Sequence, residues 1–142
     1  MKFIPSNNNL INHEEKEQLK KWYIIIWLKE GKYLDLWSIN HVLFGGVLSG
    51  IFILAHSALN LALMISILFM IGWEFYEFAK GIHEPFGNKI FDVITGVAGF
   101  FLIRYLSSIY SPKNIFLIVL FLFLLLEAWG CYAYHKKGIN FI

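Results

Sequence analysis

Residues 72–99 read GWEFYEFAKGIHEPFGNKIFDVITGVAG. This stretch closes one strongly apolar run, crosses a short polar loop and opens another. Glu74, Glu77 and Asp92 fall within a few residues of the two helix ends that it implies. Ionisable groups set so deep in apolar sequence are costly, and they mark a functional site by default. The stretch therefore locates both a helical hairpin and the chemistry at its tip.

Composition sets the class around that hairpin. The chain has 142 residues, room for one domain, of which 58% are hydrophobic, 18% aromatic and 15% charged. A soluble domain carries about 25% charged residues. The charged residues here also cluster at the start, in the middle loop and at the end. The expected class is an all-α polytopic membrane protein, with the lipid bilayer as its first partner. A formal net charge of +2 is too small to point to nucleic acid. The lone Cys131 excludes an intramolecular disulfide and a cysteine metal cluster; it reads as a small apolar residue near a helix end.

Outward from the hairpin, apolar length defines the spans. A crossing needs about 20 apolar residues. The spans are expected at 38–57, 61–79, 89–107 and 115–134. A single helix over 38–79 would be twice too long for a bilayer, so a tight turn is placed near 56–60. The motif YSPKN, with Pro112, separates the last two spans. Residues 1–37 form a cytoplasmic or interfacial segment. Its charges become helix-compatible from Glu14, and Trp22, Ile25, Ile26 and Lys29 recur at helical spacing. WYIIIWL is too short to span and suits a helix lying on the membrane surface. The organisation is thus 1–37 interfacial, 38–135 a four-helix transmembrane bundle, and 136–142 a short tail.

Ten of the twelve basic residues fall on the side holding the N-terminus, the 80–89 loop and the C-terminus; Arg104 and Lys113 are the two others. The excess of lysine on cytoplasmic loops places both termini in the cytoplasm. On that map Asn40 and His41 begin span one, Glu74 and Glu77 end span two, and Asn88 and Asp92 open span three, all at the cytoplasmic end. Glu74 and Glu77, three apart on a helix, share a face and can point at the same neighbour. Asn88, Asp92, Gly96 and Gly99 share a face whose glycines allow a close helix approach, so it is expected to be packed. The expected site is His41, Glu74, Glu77 and Asp92. Each residue alone has a bland reading: a glutamate can snorkel to headgroups, and an aspartate gains from a helix N-terminus. Convergence from three helices is what favours a site. His83 and Glu84 in the loop read as solvated. Glu127, about two turns into span four from the cytoplasmic end, either faces the site or pairs with a neighbour such as His135.

One histidine and three carboxylates form a donor set for a divalent ion such as Mg, Mn or Zn. They can equally work without metal, since neighbouring carboxylates that share a proton place an acid beside a base. A site at headgroup depth suits a lipid or a lipid-linked phosphate or sugar. No phosphate loop, HExxH pattern or nucleophile motif is present.

The order SINHVLFGG, GWEFYE, DVITGVAG resembles the core of the VanZ-like membrane proteins over about residues 37–105. The resemblance matches His41, Glu74, Glu77, Asp92, Gly96 and Gly99 to that family's pattern. It departs at Glu77, where glutamine is more usual, and at Thr95, a position often held by asparagine. It implies a shared membrane fold more than a shared activity, because most relatives are uncharacterised. Two functions follow as expectations: a membrane-embedded enzyme or lipid-binding protein that uses the acidic site, or a non-catalytic subunit or scaffold whose carboxylates hold its helices together. An ion or proton carrier fits less well, since the acids gather at one end and the other half offers only His56 and Arg104. The topology is testable by itself: cysteines introduced at Asn60 and Ser111 should react with an impermeant thiol reagent only from outside the cell, and labelling from the cytoplasm would refute it.

Overall fold

A computed structural model describes residues 34–80 and 85–136. The surface helix expected within residues 1–37, the loop residues His83 and Glu84, and the tail beyond Lys136 lie outside the described residues. The described chain is all-helical: α1 (Leu36–Leu54), α2 (Leu59–Ala79), α3 (Phe86–Ile109) and α4 (Pro112–Lys136). Each helix is long and apolar enough to cross a membrane, in line with an integral membrane protein.

The helix boundaries follow from local chemistry. Asp35 caps α1: its side chain accepts from the Ser38 backbone N–H, and the Ser38 hydroxyl accepts from the Asp35 N–H. This reciprocal pairing satisfies two otherwise orphaned amides, and it starts the helix two residues earlier than apolar length alone predicts. At the other end His56 adopts φ 52°. Its N–H bonds the Ile53 carbonyl, and the Ser57 N–H reaches the Phe52 carbonyl. That is the Schellman pattern, with histidine at the left-handed position glycine usually holds. It stops α1 at Leu54, and the turn, residues 55–58 before α2 begins at Leu59, overlaps the 56–60 window expected from sequence. The YSPKN segment separates the last two spans as expected: α3 ends at Ile109 and Pro112 opens α4, where its fixed φ fits and its missing N–H costs nothing.

Successive helices run up and down. Asp35 and Ser38, at the start of α1, bond Asn88 and Asp92, at the start of α3. The end of α2 meets the same level through Glu74, and Asn40 bonds Glu127 near the end of α4. Asn40, His41, Glu74, Asn88, Asp92 and Glu127 therefore gather at one end, called here the acidic end. Helix α1 is central: 56% of its apolar window is buried inside the bundle, against 11% for α4. It packs on all three other helices and most extensively on α3, whereas α2 and α4 do not pack on each other.

The α1–α3 contact is made by backbone. A Cβ added at Gly45 would collide with the Gly96 carbonyl oxygen, and one added at Gly99 with the Val42 carbonyl oxygen. Toward the other end, Val47, Ile103 and Val119 form the apolar core. Without a hydrophobic drive between helices in lipid, close approach and dispersion must hold them together. Gly72, by contrast, has no heavy atom near its Cβ direction. Gly45→Ala and Gly99→Ala are therefore expected to destabilise the protein by about 1–3 kcal/mol through overpacking, read as a lower melting temperature in detergent. Gly72→Ala is expected to be neutral or slightly stabilising. Wild-type melting of Gly99→Ala would overturn this account of the contact.

Candidate functional site

Three helices deliver the site. His41 lies four residues before Gly45, Asp92 four before Gly96, and Glu74 four after Met70. Met70 is fully buried, and its sulfur would lie 2.8 Å from a Cβ at Gly96. Residues four apart lie one above the other on a helix face. One turn from this tight layer toward the acidic end, the three helices must therefore bring His41, Asp92 and Glu74 together.

The geometry is close but not closed. His41 Nε2 lies 3.7 Å from Glu74 Oε1 and 4.0 Å from Asp92 Oδ2. One ligand atom from each of the three residues falls within 4.8 Å of the others. His41 and Glu74 are 5% and 8% exposed and Asp92 is sealed. Separations of 3.7–4.0 Å exceed a hydrogen bond. They approach the spacing of two ligands held on one ion, roughly 3.4 Å for a tetrahedral site with bonds of about 2.1 Å.

Asp92 is the best-anchored member. The Ser38 hydroxyl donates to Oδ1 at 2.7 Å and the Asn88 amide to Oδ2 at 3.1 Å. Asn88 Nδ2 also lies 3.3 Å from Asp35 Oδ2. The cap of α1 is thereby joined to the first turns of α3 through one buried network. Thr95 turns its hydroxyl back to the Asp92 carbonyl at 3.0 Å and bonds its own helix, not the site.

The structure brings together three of the four expected residues. Glu77 is buried, but its carboxylate accepts from Trp73 Nε1 at 2.9 Å and is not part of the converging group. Three residues advance a helix by about 300°, and the remaining 60° carries Glu77 away from Glu74 toward the Trp73 indole. Glu127, which sequence left between facing the site and pairing with His135, lines a small cavity with Asn40 and His41 beside the converging group. It accepts from Asn40 Nδ2, and the Cys131 thiol lies 3.7 Å away. Asp35 and Ser38 were missed as site-building residues, although the cap spacing Asp35–Ser38 is legible in the sequence.

Comparisons with protein-family models, curated proteins and solved structures find no match to this chain.

The network makes a specific demand on Ser38. Ser38→Ala removes one donor from a sealed carboxylate and half of the α1 cap. It is expected to cost about 1–3 kcal/mol, measured as a melting shift in detergent, while Thr95→Val should leave the melting temperature within about 0.5 kcal/mol of wild type. Equal effects of the two substitutions would refute the assignment.

Proposed function

We propose that His41, Glu74 and Asp92 form a divalent-cation site at the cytoplasmic membrane surface that binds or acts on a lipid or lipid-linked substrate. The observation that carries this reading is the meeting of three buried ligand atoms from three helices within 4.8 Å. Buried charges in an apolar setting need a partner, and a cation shared between two carboxylates and an imidazole is the partner this donor set fits. One nitrogen and two carboxylate oxygens suit zinc or manganese. Three protein ligands leave a coordination position free, as catalytic sites do and closed structural sites do not. When bound, such an ion polarises a phosphoryl or carbonyl oxygen.

The chain's own residues supply the rest. Ser38 and Asn88 orient the Asp92 carboxylate, the outer-shell role that fixes a ligand's geometry. Trp73 holds Glu77 one turn closer to the interface, where it can guide a cationic group toward the site without ligating it. The cytoplasmic placement of the acidic end rests on the ten-to-two division of basic residues. The VanZ-like resemblance of the segments carrying His41, Glu74 and Asp92 belongs to the same proposal.

A second reading has its own support. Asp92 is sealed and hydrogen-bonded by Ser38 and Asn88, so a non-catalytic subunit in which it ties α1 to α3 accounts for that residue. It does not account for the placement of Glu74 and His41 on the same spot.

Metal content separates the two. Purified full-length protein should carry one equivalent of zinc or manganese by elemental analysis. His41→Ala, Glu74→Gln and Asp92→Asn should each lower occupancy by about tenfold or more, and Glu77→Gln should leave it unchanged. A metal-free wild type whose melting ignores both chelator and added ion would sink the cation site and leave the packing reading standing.

A further inference from the structure

The gap between α2 and α4 holds a second feature. Because these helices do not pack on each other, a groove of about 660 Å³ opens between them, floored by Phe44 of α1. Along α2 it runs from Tyr76 to Ile65. The eleven steps between them span roughly 16 Å at 1.5 Å per residue, about half of a 30 Å hydrocarbon core. The groove therefore has the depth of one leaflet. Its deep part is apolar, and Glu127 stands at the end nearer the acidic centre.

A smaller cavity, about 20 Å³, lies beside it. Phe44, Trp73 and Glu127 line both spaces, and Asn40 and His41 complete the small one. Asn40 is 5% exposed; its amide nitrogen donates to Glu127, but its buried Oδ1 has no hydrogen-bond partner among the described residues. Around Glu127 the described donors are the neutral Asn40 amide and Cys131 thiol, with no lysine or arginine in ion-pair reach. Among the described residues, a carboxylate without a cation and an amide oxygen without a donor thus share one apolar recess. Leaving either unsatisfied there is expensive.

We infer that the α2–α4 groove binds a single-chain membrane amphiphile with a primary ammonium head, its chain along Phe44, Phe69 and Ile65 and its head between Glu127 and Asn40. An ammonium is the fitting donor: it is compact, positively charged and carries three N–H groups, enough for the carboxylate and the unpartnered amide oxygen together. The head then lies next to His41, so the groove names the substrate class for the centre proposed above. That link rests on the earlier reading; the binding itself does not.

The test uses full-length protein in neutral detergent, titrated with hexadecylamine, hexadecanol and hexadecanoate. The amine should bind about tenfold more tightly than the alcohol or the acid, the size expected for a charge-assisted hydrogen bond. Glu127→Gln should erase that preference without lowering the melting temperature of the ligand-free protein. Gly72→Trp, which places bulk in the groove from a position with open space around it, should weaken all three, while Ile118→Trp on an outward face of α4 should weaken none. Glu74→Gln should lose metal yet keep amine binding, so failure of the cation site and failure of the groove are told apart. Equal affinity for amine and acid, or an undiminished amine preference in Glu127→Gln, would overturn the inference. So would a photo-crosslinker at Phe69 that captures residues 1–33 or a second copy of the chain in place of the amine.

Discussion

The backbone contact between α1 and α3 is the constraint on which the rest depends. Gly45 against the Gly96 carbonyl and Gly99 against the Val42 carbonyl leave no space for a side chain. In lipid the apolar side chains gain little by leaving the tails for each other, so packing quality decides association. Two helices locked at this distance carry their next turn with them. His41 and Asp92 each sit one turn from the locked layer, and Met70, pressed on Gly96, sets Glu74 from the third side. The acidic centre is thus a consequence of the glycine contact, in register and in depth.

That dependence bears on how a polar cluster survives in an apolar bundle. Asp92 is sealed, and its two oxygens accept from Ser38 and Asn88. Ser38 in turn belongs to the cap that begins α1. Helix start, helix pairing and ligand orientation therefore share the same few atoms, and a change to any of them is felt by the others. Coupling of this kind makes stability alone a poor reporter of function here. A substitution at Asp92 disturbs the bundle whether or not an ion binds, whereas Glu74 and His41 come from α2 and α1, with His41 Nε2 3.7 Å from Glu74 and 4.0 Å from Asp92.

Much of the fold was legible because lipid imposes length. Four apolar runs of crossing length give four helices, and the glycine face Asn88–Asp92–Gly96–Gly99 is buried in the structure as its spacing predicts. Boundaries were less legible where side-chain chemistry overrides apolar count, as at the Asp35–Ser38 cap and at Pro112, which opens α4 three residues before the expected start of span four. Of the site, His41, Glu74 and Asp92 could be placed at one level from topology. Glu77 could not be told from Glu74, since the difference is a 60° rotation that only the Trp73 indole resolves. The partner of Glu127 was hidden for another reason. Helix α4 is apolar nearly all round, so no stripe marks which side faces the bundle, and a contact 87 residues distant in sequence depends on that rotation.

The same absence of a stripe on α4 explains why the bundle is open. A helix with a narrow polar or small-residue face is drawn to one neighbour; α4 offers bulky leucine, isoleucine and phenylalanine on most sides and packs through Val119 and Phe116 against α1 and α3. Phe116 fills the space left by Gly50, and Val119 the space left by Gly46. These contacts pull the early part of α4 onto α1, away from α2, and the far part carries Glu127 to Asn40. The carboxylate is then held on the α1 side of a gap that α2 does not close. Here the side chain lines a groove that α2 leaves open, and the acidic centre one residue along α1, at His41, lies beside that groove.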